Sequence, residues 1–379
     1  MIINYISNIA LDEISGGFSA MNAAAHEALR EIAQVHYVGP VNPPTMWSER
    51  LVSKAKRSVG FAGKFFFFSE TRLDAIASEV KRHCRPDADC DFYHGFTPWI
   101  HCTSPRPFIA WSDCCFYDYV NIYHPRGVFE EGDVQRICSI ESAWMRKADA
   151  VLLSSEWARL RTRTHYGLQD SLLGNVSIFG ASEIPASDRF TGARDFLFIS
   201  TDYQRKNGPM CRRAMNEVWK RYPDARLNII GAAPPSEDLN DHRITYLGYL
   251  KKSVPEQLTL FRDSLSHAFA LLHPTGADTT AMVVIEAGFH GCPSITVDSF
   301  ALPEVTGNGA YAMLLDAPLD ESKLAAGMIR LLQDSTLYSS LRVKAREFST
   351  SRFSKGEFKK RVQNSVIASL GFSRRTRFA

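Results

Sequence analysis

An α/β architecture of two doubly wound parallel-sheet domains is predicted by three observations. Strand-like apolar runs alternate with helix-like periodic ones from end to end. The alternation stops at a Gly, Pro and Ser-containing stretch, FGASEIPASDRFTGARD (179 to 195), and then restarts. Finally, 379 residues exceed what one ordinary core organises. Both domains are therefore expected to be Rossmann-like, facing a cleft bordered by the loops at the carboxyl ends of their strands.

In the first half, strands are expected at 2 to 7, 35 to 39, 91 to 96, 107 to 112 and 150 to 155, with helices over 18 to 32, 69 to 84, 132 to 147 and 155 to 166. The third helix is amphipathic through Ile137, Ile140, Ala143 and Trp144. After the linker, strands are expected at 196 to 201, 226 to 231, 244 to 248, 268 to 274 and 293 to 297. The resulting divisions are 1–184, 185–354 and a terminal helix at 355–379 that carries Phe358, Val362, Val366, Ile367 and Leu370 at helical spacing. That helix is expected to cross back to the first domain.

Composition narrows the classes. Hydrophobic residues make up 45% and charged residues 22%, a globular balance, and the net charge of +3 is too small to argue for nucleic acid. The eight cysteines lack the C-x-x-C pairs of a structural zinc site, and DAD at 87 to 89 reads as a solvated turn, so no metal is expected. Neither ISGGFSAMN nor NIIGAAPP supplies the G-x-G-x-x-G of a dinucleotide-binding dehydrogenase. With no basic-then-apolar leader and no long apolar run, a cytoplasmic location is expected.

The chemistry concentrates in HPTGADTTAMVVIEAGFHGCP, 273 to 293. A turn leads into a helix with Thr279 or Thr280 as N-cap, and free backbone N–H groups at such a helix mouth suit a diphosphate. Asp278 stands at that mouth. Glu286 lies eight residues on, roughly 10 to 12 Å along the axis, a gap close to that between sugar and ribose in a nucleotide sugar. Spacing alone favours Asp278 as a helix cap and Glu286 as a surface residue. In STDYQRKNGP, Arg205 and Lys206 follow the first strand of the second domain, where their cations could stabilise a departing diphosphate.

These segments, with RLNIIGAAPP, ITYLGYLKKS and PSITVDSFALPEV in the same order and intervals, resemble the nucleotide-binding half of the family 4 retaining glycosyltransferases of GT-B fold. The resemblance is closest over 195 to 307 and looser in the first half. It implies transfer of a sugar from a nucleotide diphosphate sugar to an acceptor hydroxyl with retention, without metal or other cofactor. The acceptor it leaves open: glycan, lipid-linked sugar or small molecule. It implies that Asp278 and Glu286 hold the sugar and ribose hydroxyls, as the family's two spaced glutamates do, and that Arg205 and Lys206 hold the diphosphate. Gly16 and Gly17 would bring backbone amides to phosphate or acceptor, Thr279 and Thr280 would border the donor, and Tyr249 and Leu250 would meet the base. Asp113 falls where many relatives carry a histidine facing the donor sugar, and His94 is a further candidate for that end.

Three departures bear on activity. Asp278 is shorter than Glu, Thr280 and Ala281 replace a Phe-Gly pair, and Phe300 and Ala301 replace a Gly-Gly pair. A nucleotide-sugar hydrolase or epimerase, or a non-catalytic binding protein of the same fold, would use the same donor residues. A basic, aromatic stretch, ERLVSKAKRSVGFAGKFFFFSE (49 to 70), is readable as a lid with core phenylalanines or as a surface for peripheral contact with the inner face of an anionic membrane.

Overall fold

The computed structural model describes residues 1–12 and 17–377, the side chains beyond 371 excepted. The chain divides into one unit of Met1–Ile178 with Phe358–Ala379 and a second of Phe179–Glu357.

The first unit is built from β1 (Ile2–Ile6), α1 (Gly17–Arg30), β2 (Gln34–Val38), α2 (Trp47–Ser58), α3 (Glu70–His83), β3 (Cys90–His94), β4 (Phe108–Ser112), α4 (Phe116–Tyr123), α5 (Glu131–Met145), β5 (Ala150–Leu153), α6 (Glu156–Tyr166) and β6 (Leu173–Asn175). Its strands run in the order β2-β1-β3-β4-β5-β6, every pair parallel. The inner strands β3, β4 and β5 are buried at every position, as a parallel sheet covered on both faces requires. Local signals mark the helix ends: the Ser155 hydroxyl accepts from Ala158 N at 3.1 Å to start α6, and Gly167 at φ 58° ends it.

The second unit contains β7 (Asp195–Ser200), α7 (Gly208–Trp219), β8 (Arg226–Gly231), β9 (Ile244–Tyr246), α8 (Pro255–His267), β10 (Ala270–His273), α9 (Met282–Phe289), β11 (Ser294–Val297), α10 (Leu302–Val305), β12 (Ala312–Leu315), α11 (Glu321–Gln333) and α12 (Ser335–Arg352). Its order is β12-β11-β10-β7-β8-β9, again parallel throughout. The chain winds outward from β7 through β8 to β9, then returns to lay β10 on the other side of β7. The switch point therefore lies between β7 and β10, where loops from both strands diverge and leave a crevice.

Close packing sets the helix beside that crevice. A Cβ on Gly288 of α9 would lie 2.0 Å from the Ser349 hydroxyl of α12, so only glycine lets these helices approach. The last helix, α13 (Lys355–Arg377), belongs to the first unit from Phe358 onward. There Phe358 meets Trp111 edge-on at 6.0 Å, Lys359 pairs with Glu27 and Glu31, and Gln363 donates to the Ala28 carbonyl at 2.9 Å.

Candidate functional site

Two loops meet at the β7/β10 switch point. The one after β7 carries Arg205 and Lys206 into α7 through Asn207, whose φ of 59° lies in the left-handed region that asparagine tolerates better than most residues. Asn207 Nδ2 donates to the Pro274 carbonyl at 2.7 Å, tying this loop to the one after β10. Lys206 completes the join: its ammonium donates to the Ala277 carbonyl at 2.6 Å and to Asp278 Oδ2 at 2.5 Å. Only 14% and 13% of the two side chains are exposed, so this ion pair is shielded from water and salt.

Asp278 holds three elements together. Its Oδ2 also accepts from His273 Nε2 at 3.0 Å, while Oδ1 accepts from the backbone N–H of Thr280 at 3.2 Å and Ala281 at 2.9 Å. Neither Thr279 nor Thr280 is the N-cap expected from the sequence: α9 starts at Met282, after Ala281 at φ 38°, and no side chain caps it, the Asp278 bonds closing the turn that precedes the helix instead. Burial alone would raise the Asp278 carboxyl, but the His273 hydrogen bond and the Lys206 charge hold it well below the usual carboxylate range. Burial lowers both Lys206 and His273, with Asp278 opposing in each case. We read His273 as neutral and donating from Nε2.

Glu286 lies inside α9, 2% exposed, and accepts from Lys252 at 2.6 Å. Lys252 follows the β9 turn and also lies 4.3 Å over the Phe261 ring. Tyr249, in the same turn, is 51% exposed, and Leu250 is half-buried. Arg205 bonds Asp202 through both its backbone N–H and its Nε, each at 3.0 Å. Thr279 is buried and Thr280 half-buried. The structure therefore joins Lys206, Asp278 and the start of α9 directly, gives Glu286 its own cation, and turns Arg205 toward Asp202.

Backbone strain marks the same place. Of the non-glycine residues at positive φ among those described, Asn207, Ala281 and Phe300 follow β7, β10 and β11 respectively. Such outliers persist only where their surroundings over-determine them, and they gather at functional sites. Phe300, at φ 60°, holds the left-handed backbone that glycine ordinarily supplies. Gly231 ends β8 at φ 115° against the Ser200 carbonyl, an approach that a Cβ would bring to 1.8 Å.

In the first unit, Asp113 follows β4; its carbonyl accepts from the Ser154 hydroxyl at 3.1 Å and its carboxylate from Ser112 at 3.4 Å. His94 ends β3 with no exposed surface, stacked on Trp111 at 5.3 Å and beside Phe18 at 4.4 Å, with the Phe18 backbone its nearest polar neighbour. Gly17 opens α1; Gly16 lies outside the described residues. In the DAD turn Asp87 pairs with Arg85 at 2.5 Å, and Asp89 accepts from the Ile2 N–H at the start of β1 at 2.8 Å. Sequence reading missed His273 and Lys252. A histidine closing a strand just before PTGAD, and a lysine pair after ITYLG, were the available signals.

Residues 193–334 match the family described as Glycosyl transferases group 1. No curated protein matches the chain. Among solved structures, sucrose-phosphate synthase from Thermosynechococcus elongatus superposes with a TM-score of 0.70 at 15% identity, covering 98% of this chain and 99% of that one. Anabaena Alr3699/HepE in complex with UDP-glucose superposes at 0.64 with 11% identity, covering 97% and 100%. TarM gives 0.60 at 13% identity; the match takes in 79% of this chain but only 58% of TarM, so the chain spans well under two thirds of that protein's length. Identities this low speak to the fold alone. Residues 193–334, carried on the second of two parallel sheets, are similar to the glycosyl transferases group 1 family, and the architecture of the chain is that of the GT-B fold.

Proposed function

We propose that the chain transfers a sugar from a nucleotide diphosphate sugar to an acceptor hydroxyl, with retention of anomeric configuration and without a metal ion. The observation that carries this reading is the Lys206–Asp278 pair at the switch point of the second sheet, beside the start of α9. In the reaction the bond from the anomeric carbon to the diphosphate breaks, its electron pair leaving on the diphosphate. The acceptor oxygen bonds to that carbon, and its proton goes to the departing phosphate. Lys206, Arg205 and the amino end of α9 stabilise the growing negative charge, the task a divalent cation performs elsewhere. Glu286, poised by Lys252, takes the ribose hydroxyls, and Tyr249 with Leu250 borders the base. Asp278 orients Lys206 and offers the donor sugar an oxygen. Retention rests on the Asp278-x7-Glu286 likeness to the family 4 signature.

UDP-glucose is the first donor to test, because a protein of the same fold has been captured with it. A ligand bound only by the folded chain raises its melting temperature, so UDP, GDP, ADP and dTDP with their sugars are expected to separate into one stabilising base and three silent ones. Glu286→Gln is expected to remove the shift. Release of nucleoside diphosphate with a new glycoside supports transfer. Release with free sugar favours a hydrolase, and binding without turnover favours a non-catalytic protein.

Phe300→Gly tests the departure from the Gly-Gly pattern. Glycine keeps φ 60° without the cost of about 1 kcal/mol that a side chain incurs there. Several-fold tighter donor binding by calorimetry is expected; weaker binding would mean that the ring itself contacts the donor.

A peripheral membrane contact is supported by α2. Among the described residues no helix is long and apolar enough to cross a membrane. Yet α2 and its flanks expose Trp47, Leu51, Val52, Val59 and Phe61 alongside the exposed cations Arg50 and Lys54. Flotation with liposomes containing anionic lipid is expected to carry the chain, less so as salt rises. Equal recovery with neutral liposomes, or none with either, would remove this contact.

A further inference from the structure

The first unit contains a chamber of about 560 Å³ at the carboxyl ends of β3 and β4, and its walls are largely aromatic. Phe65 stands at the centre of those walls. It lies parallel to Phe68 at 5.3 Å, tilted against Phe129 at 4.5 Å and edge-on to Phe116 at 5.2 Å. Phe66 and Phe67 extend the wall toward solvent, Phe67 being 50% exposed. The lining also includes Asp113, the residue expected beside the reacting end of the donor.

Much of the polar lining is already committed to holding the wall. Arg72 spends its Nε on the Pro43 carbonyl at 2.9 Å, one terminal nitrogen on the Phe67 carbonyl at 2.6 Å and the other on Asn42 at 2.7 Å. The Thr97 hydroxyl donates to Glu141 at 2.6 Å. Burial raises the Cys114 and Cys115 thiols far above their ordinary value, so both stay neutral. A sugar entering such a chamber would strip several hydroxyls of water and find few replacements for the lost hydrogen bonds. A flexible aliphatic chain would fit the apolarity but lose its rotational freedom. A rigid aromatic ring system avoids both costs and gains edge-to-face contacts with the phenylalanines. Arg57, its guanidinium 5.8 Å from the Phe129 ring centre, adds a cation able to lie over a π face.

We propose that this chamber is the acceptor site and that the acceptor is an aryl alcohol, a hydroxyl carried on a flat aromatic body, held with that hydroxyl toward Asp113. The inference rests on the glycosyl-transfer reading for its chemistry but not for its test. The phenolic oxygen forms the new bond to the anomeric carbon, the diphosphate departs with the electron pair of the old one, and the phenolic proton leaves on the diphosphate. An aromatic body of this kind also partitions into bilayers, where a membrane-docked α2 would meet it.

The experiment is direct binding of 4-methylumbelliferone and 2-naphthol to the full chain, without donor, by fluorescence and calorimetry. Methyl α-glucoside and maltose serve as comparison ligands, and UDP is titrated separately. Saturable binding of both aryl alcohols is expected, with neither sugar competing. Phe67→Ala, at a half-exposed wall position, is expected to weaken that binding by about tenfold while leaving the melting temperature and UDP affinity unchanged. Formation of an aryl glycoside on adding UDP-glucose would extend the support to turnover. Aryl binding without any nucleotide binding supports the chamber and sinks the donor reading instead. UDP binding without aryl binding, competition by the sugars, an unaltered Phe67→Ala affinity, or no binding of any probe each overturns the inference.

Discussion

Lys206→Met is expected to lower turnover of the nucleotide sugar by about 10²- to 10³-fold, the usual cost of losing one preorganised charge from a transition state. The same change removes the cation from a buried Asp278, which should destabilise the second unit by roughly 3 kcal/mol. The two losses have different origins and separate in a double variant. With Lys206→Met and Asp278→Asn together, the uncompensated carboxylate is gone, and the urea midpoint is expected to recover most of its shift. Turnover is not, because the asparagine restores no positive charge to the leaving group. Lys206→Arg keeps the charge in a larger, planar head that does not fit the Ala277 carbonyl and Asp278 together, and should fall between. Full turnover in Lys206→Met would end the diphosphate role for this residue, whatever happened to stability.

The pair also illustrates what the sequence could and could not disclose. Helix periodicity after Asp278 and the strand before Arg205 were legible, as was the doubly wound class of the sheet; that both loops flank one switch point follows only from the observed strand order. The partners were not. Lys206 and Asp278 are 72 positions apart and Lys252 and Glu286 are 34 apart, and nothing in local spacing pairs one lysine with one acid across such distances. The sequence reads Asp278 as a helix cap or a ligand for sugar; its two oxygens divide instead between the turn N–H groups of Thr280 and Ala281 and the Lys206–His273 side. Phe300 showed a missing glycine, but not that the chain keeps the glycine-like backbone. Short edge strands were invisible for a simpler reason: β6 is LGN and β12 is AMLL, too brief for any period. Trp47, Leu51 and Val52 carry the helical spacing of α2 in the sequence, but nothing in that spacing says that the apolar face lies exposed.

A steep loss of stability on mild acidification is expected from the buried histidines. His94 has no exposed surface, and burial takes it from its ordinary 6.5 down to about 3. Between those values the unfolded chain binds a proton that the folded chain does not, so stability falls as pH falls through this window and is fully present above it. The difference of about 3.5 units corresponds to about 5 kcal/mol, comparable with the whole stability of many domains. In the second unit, burial brings His290 to about 4 and lowers His273 as well, so both units weaken in the same direction. Glu141, raised by burial against three hydrogen bonds, works in the opposite sense just above its ordinary 4.5 and softens the low end for the first unit. Urea unfolding at pH 7.5, 6.5, 5.5 and 4.5 should trace this slope, and His94→Phe, which keeps a ring between Phe18 and Trp111, should flatten it for the first unit while leaving pH 7.5 stability nearly unchanged. An identical slope in wild type and variant would refute the assignment of the acid sensitivity to this side chain. The same variant decides its chemical standing: with both nitrogens enclosed, His94 can act on a ligand only if the chain around Phe18 moves aside, so retained turnover in His94→Phe at pH 7.5 makes it a packing residue, and a loss of turnover with stability intact makes it part of the donor site.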